Sequence, residues 1–415
     1  MISRRTALRT AGGAALLGGT AGLARAIDQG LVLDFDKPAL HAWDDWNSRR
    51  HAGPLALVSA GILASSPHNT QPWRFAIGRL GVDLFEVPER NLGAMDPFGR
   101  ERLAGLGGAI HNMALASTTL GRETMVRLLP DASNPLHVAR IELGPEGQGS
   151  APHSLLPAIG RRHTHRGNWL GGPISAAELR ALDEAPRGPE VRLQMFAAGA
   201  PRGQRFAALT VEATQAITED AAMMEASHSW FRHSRRDQDR FKDGLTIATS
   251  GVSPFIAAMG ALLPPQSAAS EGRYWLDATR DTALPTASAF GLITVADPWD
   301  RRSALLAGAT WQRLHLIATA LGLVAQPLNQ LPEMVDRERE LGRPPRFARA
   351  ADALLDDVLL RPTFAFRLGH AAAPARPALR RPVSEVIGFP ARLGYDVDRA
   401  RAETLAQDAA MARRF

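Results

Sequence analysis

"LASSPHNTQPWRF", Leu63 to Phe75, is the stretch that decides the fold. It follows a long apolar segment and crowds two serines, a proline, an asparagine and a glutamine ahead of Trp73 and Phe75. A joint between a helix and a strand needs one or two breakers. So many side chains that can hydrogen-bond point to a loop whose backbone or contents need partners. Taken alone, the segment could equally be a helix C-terminus with a tryptophan anchor.

An internal repeat frames this stretch. Asp96-Pro97-Phe98, Arg100, Gly107, Leu115 and Leu120-Gly121 recur as Asp297-Pro298-Trp299, Arg301, Gly308, Leu316 and Leu321-Gly322, at a constant offset of 201. Each copy reads as a strand end, a turn and a long apolar helix closed by a C-cap glycine. The chain is therefore expected to be two related halves of one compact unit, 27–150 and 151–390. The expected class is α/β (α+β). Residues 39–64 read as a helix and Arg74–Leu84 as a strand. "HVARIEL" (137–143), "RLQMFA", "FGLITVA" and "FAFRLGHA" also read as strands. "ISAAELRALDEA" (174–185) reads as a helix opened by a capping box of Ser175 and Glu178. Residues 205–285 are mostly helical in pattern and have no counterpart in the first half, which makes them an insertion. Residues 391–415 form a charged tail.

Composition narrows the function. The 415 residues are 45% hydrophobic and 22% charged, which is ordinary globular usage. Net charge is +6, yet Lys37 and Lys242 are the only lysines and the arginines are scattered. No nucleic-acid motif appears, and nucleic acid is not expected as a partner. With no cysteine, disulfides, thiolate metal sites and a cysteine nucleophile are excluded. His163-x-His165 lacks a third ligand at suitable spacing, and His228 and His233 read as surface or lid residues, so no metal is expected. No Walker A, dinucleotide fingerprint or HExxH occurs.

The N-terminus, "ISRRTALRTAGGAALLGGTAGLARA", has a basic region with Arg4 and Arg5, a glycine-diluted apolar run and an Ala24-Arg25-Ala26 cleavage pattern. It resembles a twin-arginine export signal, with Ala7 replacing the usual Phe. The twin-arginine translocation machinery is expected as a partner and cleavage is expected after Ala26, leaving a periplasmic or otherwise exported protein with no stable membrane span. That pathway carries folded proteins, so a tightly held cofactor is worth seeking.

"SSPHNTQPWRF" resembles the signature of the nitroreductase family of FMN-binding oxidoreductases. In that family the segment covers a flavin held mainly by the other subunit. The resemblance covers most of residues 40–390 and implies a nitroreductase-like fold with FMN as cofactor. Ser65, Ser66, Pro67, His68, Asn69 and Gln71 would then wall the pocket, Trp73 completing the signature. "RRHTHRGNW" (161–169) resembles the family's arginine motif, which implies Arg162 and Thr164 on the phosphate and Arg166 near flavin N1 and O2. "AQPLNQLPE" implies Pro327, Leu328, Asn329 and Gln330 near N5, although the family usually has Glu-Gly where Asn329-Gln330 stand. "RRPVSEVI" (380–387) implies Arg380 and Arg381 as phosphate ligands, a role suited to bidentate guanidinium.

The motifs divide unequally. The first half has the Asn-x-Gln-Pro-Trp segment without an arginine motif; the second has the arginine motif, with "RGPEVRLQMF" where that segment should stand. One complete and one ruined site are expected, in a fused pseudo-dimer that is a monomer or a weak oligomer. The Acg-like subgroup of the family has this form, with the insertion as a lid. The expected activity is hydride transfer through flavin N5 to a small nitro or quinone-like acceptor, with no general acid or base nameable. The alternatives are a lid-covered FMN storage protein with little nicotinamide-dependent turnover, or a scaffold binding no flavin.

Overall fold

The computed structural model describes residues 37–388, apart from 79–80, 150, 186–187, 263–265, 358 and the side chain of Pro254. The expected export signal and the charged tail lie outside these residues.

Among the described residues, eight strands form two separate four-stranded antiparallel sheets. The first contains β1 (Trp73–Gly78), β2 (Gly81–Glu86), β3 (Arg122–Leu128) and β4 (His137–Glu146) in the order β1-β2-β4-β3. The second contains β5 (Arg192–Ala197), β6 (Ala289–Val295), β7 (Val324–Pro327) and β8 (Arg361–Gly369) in the order β5-β6-β8-β7. The two halves thus repeat one topology. Every residue of β6 and nearly all of β8 are buried, since helices cover both faces of the second sheet.

Two readings of the sequence are corrected. Residues 39–64 are not one helix. α1 (His41–Asn47) and α2 (Pro54–Gly61) are separated by a turn in which Arg49 (φ 54°) and Gly53 (φ 57°) adopt left-handed backbone. Pro54 then starts α2 where a missing N–H costs nothing. Arg74–Leu84 is not one strand but the hairpin of β1 and β2, paired from Trp73↔Glu86 to Gly78↔Gly81. The alternation runs on from one strand into the next, so the pattern alone hides the division.

The long repeat helices, α3 (Arg100–Ser117) and α10 (Arg301–Ala320), cross at the centre. A Cβ on Gly107 would sit 1.9 Å from the carbonyl oxygen of Leu305, and one on Gly308 would sit 1.9 Å from that of Ala104. Both pairs obey the offset of 201, so the helices meet about a pseudo-twofold axis. Only glycine allows backbones this close.

Between them lies α4 (Ala176–Asp183), with the capping box of Ser175 and Glu178 as expected. β1 and β2 are joined by a hairpin turn, whereas β5 and β6 are joined by the whole insertion: α5 (Pro201–Glu219), α6 (Ala221–His228), α7 (Arg235–Phe241), α8 (Pro254–Leu262) and α9 (Ala268–Ala278). α5 packs on the second sheet, and α6 to α9 extend over the junction of the halves. The C-terminal arm returns to the first half: Arg380 N donates to Ala39 O at 2.7 Å, and Gly388 N to Phe75 O at 2.7 Å.

Gly308→Ala should force the two central helices apart and cost about 3 kcal/mol, as overpacked cores do. Gly199→Ala, where a Cβ meets nothing within 4 Å, is the control. Equal unfolding midpoints in urea for the two variants would contradict the glycine crossing.

Candidate functional site

A cavity of about 600 Å³ opens between the halves and beneath the insertion. The first half supplies Ser65, Ser66, Pro67, His68 and, from α3, Glu101, Ala104 and Gly105. The second supplies Thr164, Arg166, Trp311, Pro327, Asn329, Gln330, Glu333 and Phe364. The insertion closes it with an apolar wall that includes Phe231, Met259, Tyr274 and Trp275. Met224 also lines the cavity, and Met223 is buried beside it in the helical core.

The signature loop is strained. His68 (φ 43°), Asn69 (φ 58°) and Gln71 (φ 51°) all take the left-handed region, each at roughly 1–3 kcal/mol. Its polar groups stabilise that backbone. Ser66 Oγ accepts from Gln71 N at 3.0 Å. Ser65 Oγ donates to Gln312 Oε1 at 3.3 Å and accepts from Trp311 Nε1 at 3.1 Å. Asn69 Nδ2 donates to Gly244 O and Leu379 O, and Gln71 Nε2 donates to Lys242 O at 2.8 Å.

Asn69 and Gln71 therefore grip the insertion and the C-terminal arm, and they do not line the cavity. Asp243 strengthens this latch by accepting from Arg90 at 2.7 Å and Arg232 at 2.9 Å.

Arg162, Arg380 and Arg381 also stand behind the cavity wall. Arg162 donates to Leu63 O at 3.1 Å and Arg380 to Ala64 O at 3.0 Å. These carbonyls follow the end of α2, where helical partners run out. Arg381 donates to Gln71 O at 2.6 Å. Leu328 is buried in the core below. The structure thus gathers Ser65, Ser66, Pro67, His68, Thr164, Arg166, Pro327, Asn329 and Gln330 around the cavity. It leaves Asn69, Gln71, Arg162, Leu328, Arg380 and Arg381 in the supporting layer.

The charge of this layer is unbalanced. Among the described residues no carboxylate forms an ion pair with Arg162, Arg166 or Arg380, and the Nε atoms of Arg162 and Arg380 lack any partner. Burial lowers Arg162 and Arg166 to about 10, and lowers Arg380 well below its usual value. His68 is lowered to about 4 by burial, with Arg166 nearby adding to it.

The opposite wall is acidic, and sequence reasoning missed it. Arg100 Nε pairs with Asp336 at 2.7 Å, and Glu101 lies 3.4 Å from Arg100. Burial outweighs that neighbour and pushes Glu101 up to about 8. Glu333 is raised well above the usual carboxylate range, first by burial and then by Glu101. Oε2 of Glu333 and Oε1 of Gln330 have no partner. The only sequence signal was asymmetry, because Glu101 faces Arg302 across the repeat offset.

A second cavity, of about 270 Å³, is the pseudo-symmetric mate of the first. Its lining residues Arg302, Leu305, Leu306, Ile110, Val126 and Leu128 correspond, at an offset of 201, to Glu101, Ala104, Gly105, Trp311, Pro327 and Asn329 of the large cavity. Leucines replace alanine and glycine, and the space is correspondingly filled.

The chain is 26% identical over 345 residues to "Putative NAD(P)H nitroreductase Rv3131" of Mycobacterium tuberculosis strain H37Rv, an alignment spanning 81% of this chain and 91% of that protein. It is 36% identical over 110 residues to "Putative NAD(P)H nitroreductase acg" of the same organism, across 26% of this chain and 33% of that one. The first of these likenesses spans most of both chains. No protein-family model matches it. Among solved structures it is similar to the FMN-dependent nitroreductase NfnB of Mycobacterium smegmatis in complex with NADPH: 18% identity, 57% of this chain, all of that one, TM-score 0.35. It is also similar to a Bacteroides fragilis nitroreductase with bound FMN: 13% identity, 59% of this chain, 99% of that one, TM-score 0.31.

The raised pKa of Glu101 fixes a pH dependence. The folded state holds its proton up to about 8, whereas the unfolded chain releases it near the ordinary 4.5. Stability from this group is complete below the unfolded value and is lost as pH rises through the folded one. Glu101→Gln should therefore flatten the fall in thermal midpoint between about pH 5 and pH 9. Superimposable wild-type and variant profiles would mean that Glu101 is ionised throughout.

Proposed function

We propose that this protein is an exported, FMN-binding oxidoreductase of nitroreductase type, built as a fused pseudo-dimer with one working site. The observation that carries the reading is convergence. Thr164 and Arg166 of the arginine motif and Ser65 to His68 of the signature, from opposite halves, meet in the large cavity. The residues fit the cofactor's chemistry. A buried, carboxylate-free arginine layer suits an anionic phosphate, and the unpartnered acceptor of Gln330 suits a ring N–H donor. Export and loss of residues 1–26 rest on Arg4, Arg5 and the Ala24-Arg25-Ala26 pattern.

When bound, FMN supplies the hydride chemistry. The chain's own residues do the rest. Arg166 places a fixed positive charge in the cavity, which favours a ligand that gains electron density. Thr164 would hold the phosphate, with the charges of Arg162 and Arg380 acting on it from behind the cavity wall, and Trp311 and Phe364 offer flat apolar contact. The insertion excludes water. Reduction of a nitro compound or quinone consumes protons as well as hydride, and the Glu101–Glu333 pair retains one at neutral pH. Glu333 is our choice of proton donor, since its Oε2 has no other use.

Released flavin, measured against protein after denaturation, should give one FMN per chain, because the mate cavity is too filled for a second. Arg166→Ala should weaken FMN about 10–150-fold through loss of charge-assisted contacts. A colourless protein, or a ratio of two, would overturn the reading.

A storage role with slow nicotinamide turnover is the second reading, favoured by the latch on Asp243. Asp243→Ala should loosen the insertion and speed reduction by NADPH, while dithionite reduces both forms alike. Rapid NADPH turnover by the intact protein would dismiss the insertion as a barrier.

A further inference from the structure

The insertion carries a second constellation that the flavin reading does not use. His228 ends α6, His233 lies in the link to α7, and Glu271 sits in the first turn of α9. Their ligating atoms all lie within 4.8 Å of one another. His228 Nδ1 is 2.8 Å from one oxygen of Glu271, and His233 Nε2 is 3.4 Å from the other. The imidazoles' centroids are 5.5 Å apart.

From this geometry we infer a divalent transition-metal site, with Zn²⁺ as its natural occupant, ligated by His228, His233 and Glu271. Three observations support it. Ligands of a tetrahedral zinc at about 2.0–2.1 Å stand about 3.4 Å apart, close to the spacing already present. His233 Nε2 and Glu271 Oε1 are buried atoms without any hydrogen-bond partner, although they face one another. Such atoms are rarely left idle, and a cation between them satisfies both. Phe231 stacks on the His233 ring at 5.1 Å and fixes its plane, as the surroundings of a ligating histidine usually do.

A simple His–Glu–His hydrogen-bond chain accounts for the 2.8 Å contact but leaves the second pair unexplained. The ligands come from three segments, so a bound ion staples the insertion internally. His233 and Glu271 also line the large cavity, which leaves the fourth zinc position open to it for water or for an oxygen or nitrogen of a ligand. The link continues to the signature loop, because His68 Nε2 lies 2.8 Å from Ser227 Oγ, beside His228.

The test does not depend on flavin. Chelator-stripped protein is titrated with Zn²⁺ against a chromophoric competitor, and its thermal midpoint is followed in parallel. One ion per chain is expected, raising the midpoint by about 3–4 °C at a hundredfold excess over Kd. Glu271→Gln and His233→Asn, both nearly isosteric, should each weaken binding at least about 100-fold and abolish the shift. His153→Ala, remote from the cluster, should bind as the wild type does. No binding in the micromolar range would overturn the site. So would unchanged affinity in both variants, or equal loss in His153→Ala.

Discussion

The structure depends on satisfying the backbone carbonyls between Leu63 and Trp73. α2 ends there, three of the next residues are left-handed, and the segment is buried. A buried carbonyl without a partner costs about 1–3 kcal/mol. Four arginines supply the donors: Arg162 to Leu63, Arg380 to Ala64, Arg90 to Thr70, and Arg381 to Gln71 and Trp73. These donors come from the second half's arginine motif, the C-terminal arm and the first half itself. One loop thus fixes the relative positions of three distant parts of the chain. Asn69 and Gln71 add a fourth by holding residues 242–244 of the insertion.

Against this stands the pseudo-symmetry of the frame. The crossing of α3 and α10 demands glycine at Gly107 and Gly308, and both copies have kept it. Nothing in that contact requires the flanking positions to match, and they do not. Gly105 allows Ser66 and Pro67 to pack on α3, a Cβ there lying 3.1 Å from that of Ser66. Its mate, Leu306, fills the second cavity instead. Opening one cavity and closing the other therefore took only a few side chains, while the crossing held the frame constant.

This division explains what the sequence made legible. The repeat was readable because close backbone approach permits few residue types. The arginine motif and the signature were readable as the walls of one cavity, and Thr164, Arg166 and Ser65 to His68 do line it. The break at Arg49–Gly53 and the division of β1 from β2 were hidden because a 3.6 or 2.0 period can run on from one element into the next. The positions of Arg162, Arg380 and Arg381 were not readable either. A guanidinium that holds carbonyls and one that faces a cavity look alike in sequence. Glu101, Glu333 and the His228–His233–Glu271 cluster arise from long-range packing, so no local pattern announces them.

The buried charges finally bear on the order of assembly. Arg162, Arg166 and Arg380 sit in low dielectric without an anion, and burial lowers all three. Neutral carbonyls accept from some of their N–H groups but do not cancel their charge, so the layer is costly while it stands alone. A bound phosphate would remove that cost and return the guanidiniums toward their ordinary pKa. Binding would also tighten the loop they hold, and through Asn69 and Gln71 the closure of the insertion. On the proposed reading, cofactor capture and lid closure are therefore one coupled event. Under the proposed export, a protein completed in this way crosses already folded, the order that the twin-arginine pattern at Arg4 and Arg5 suits.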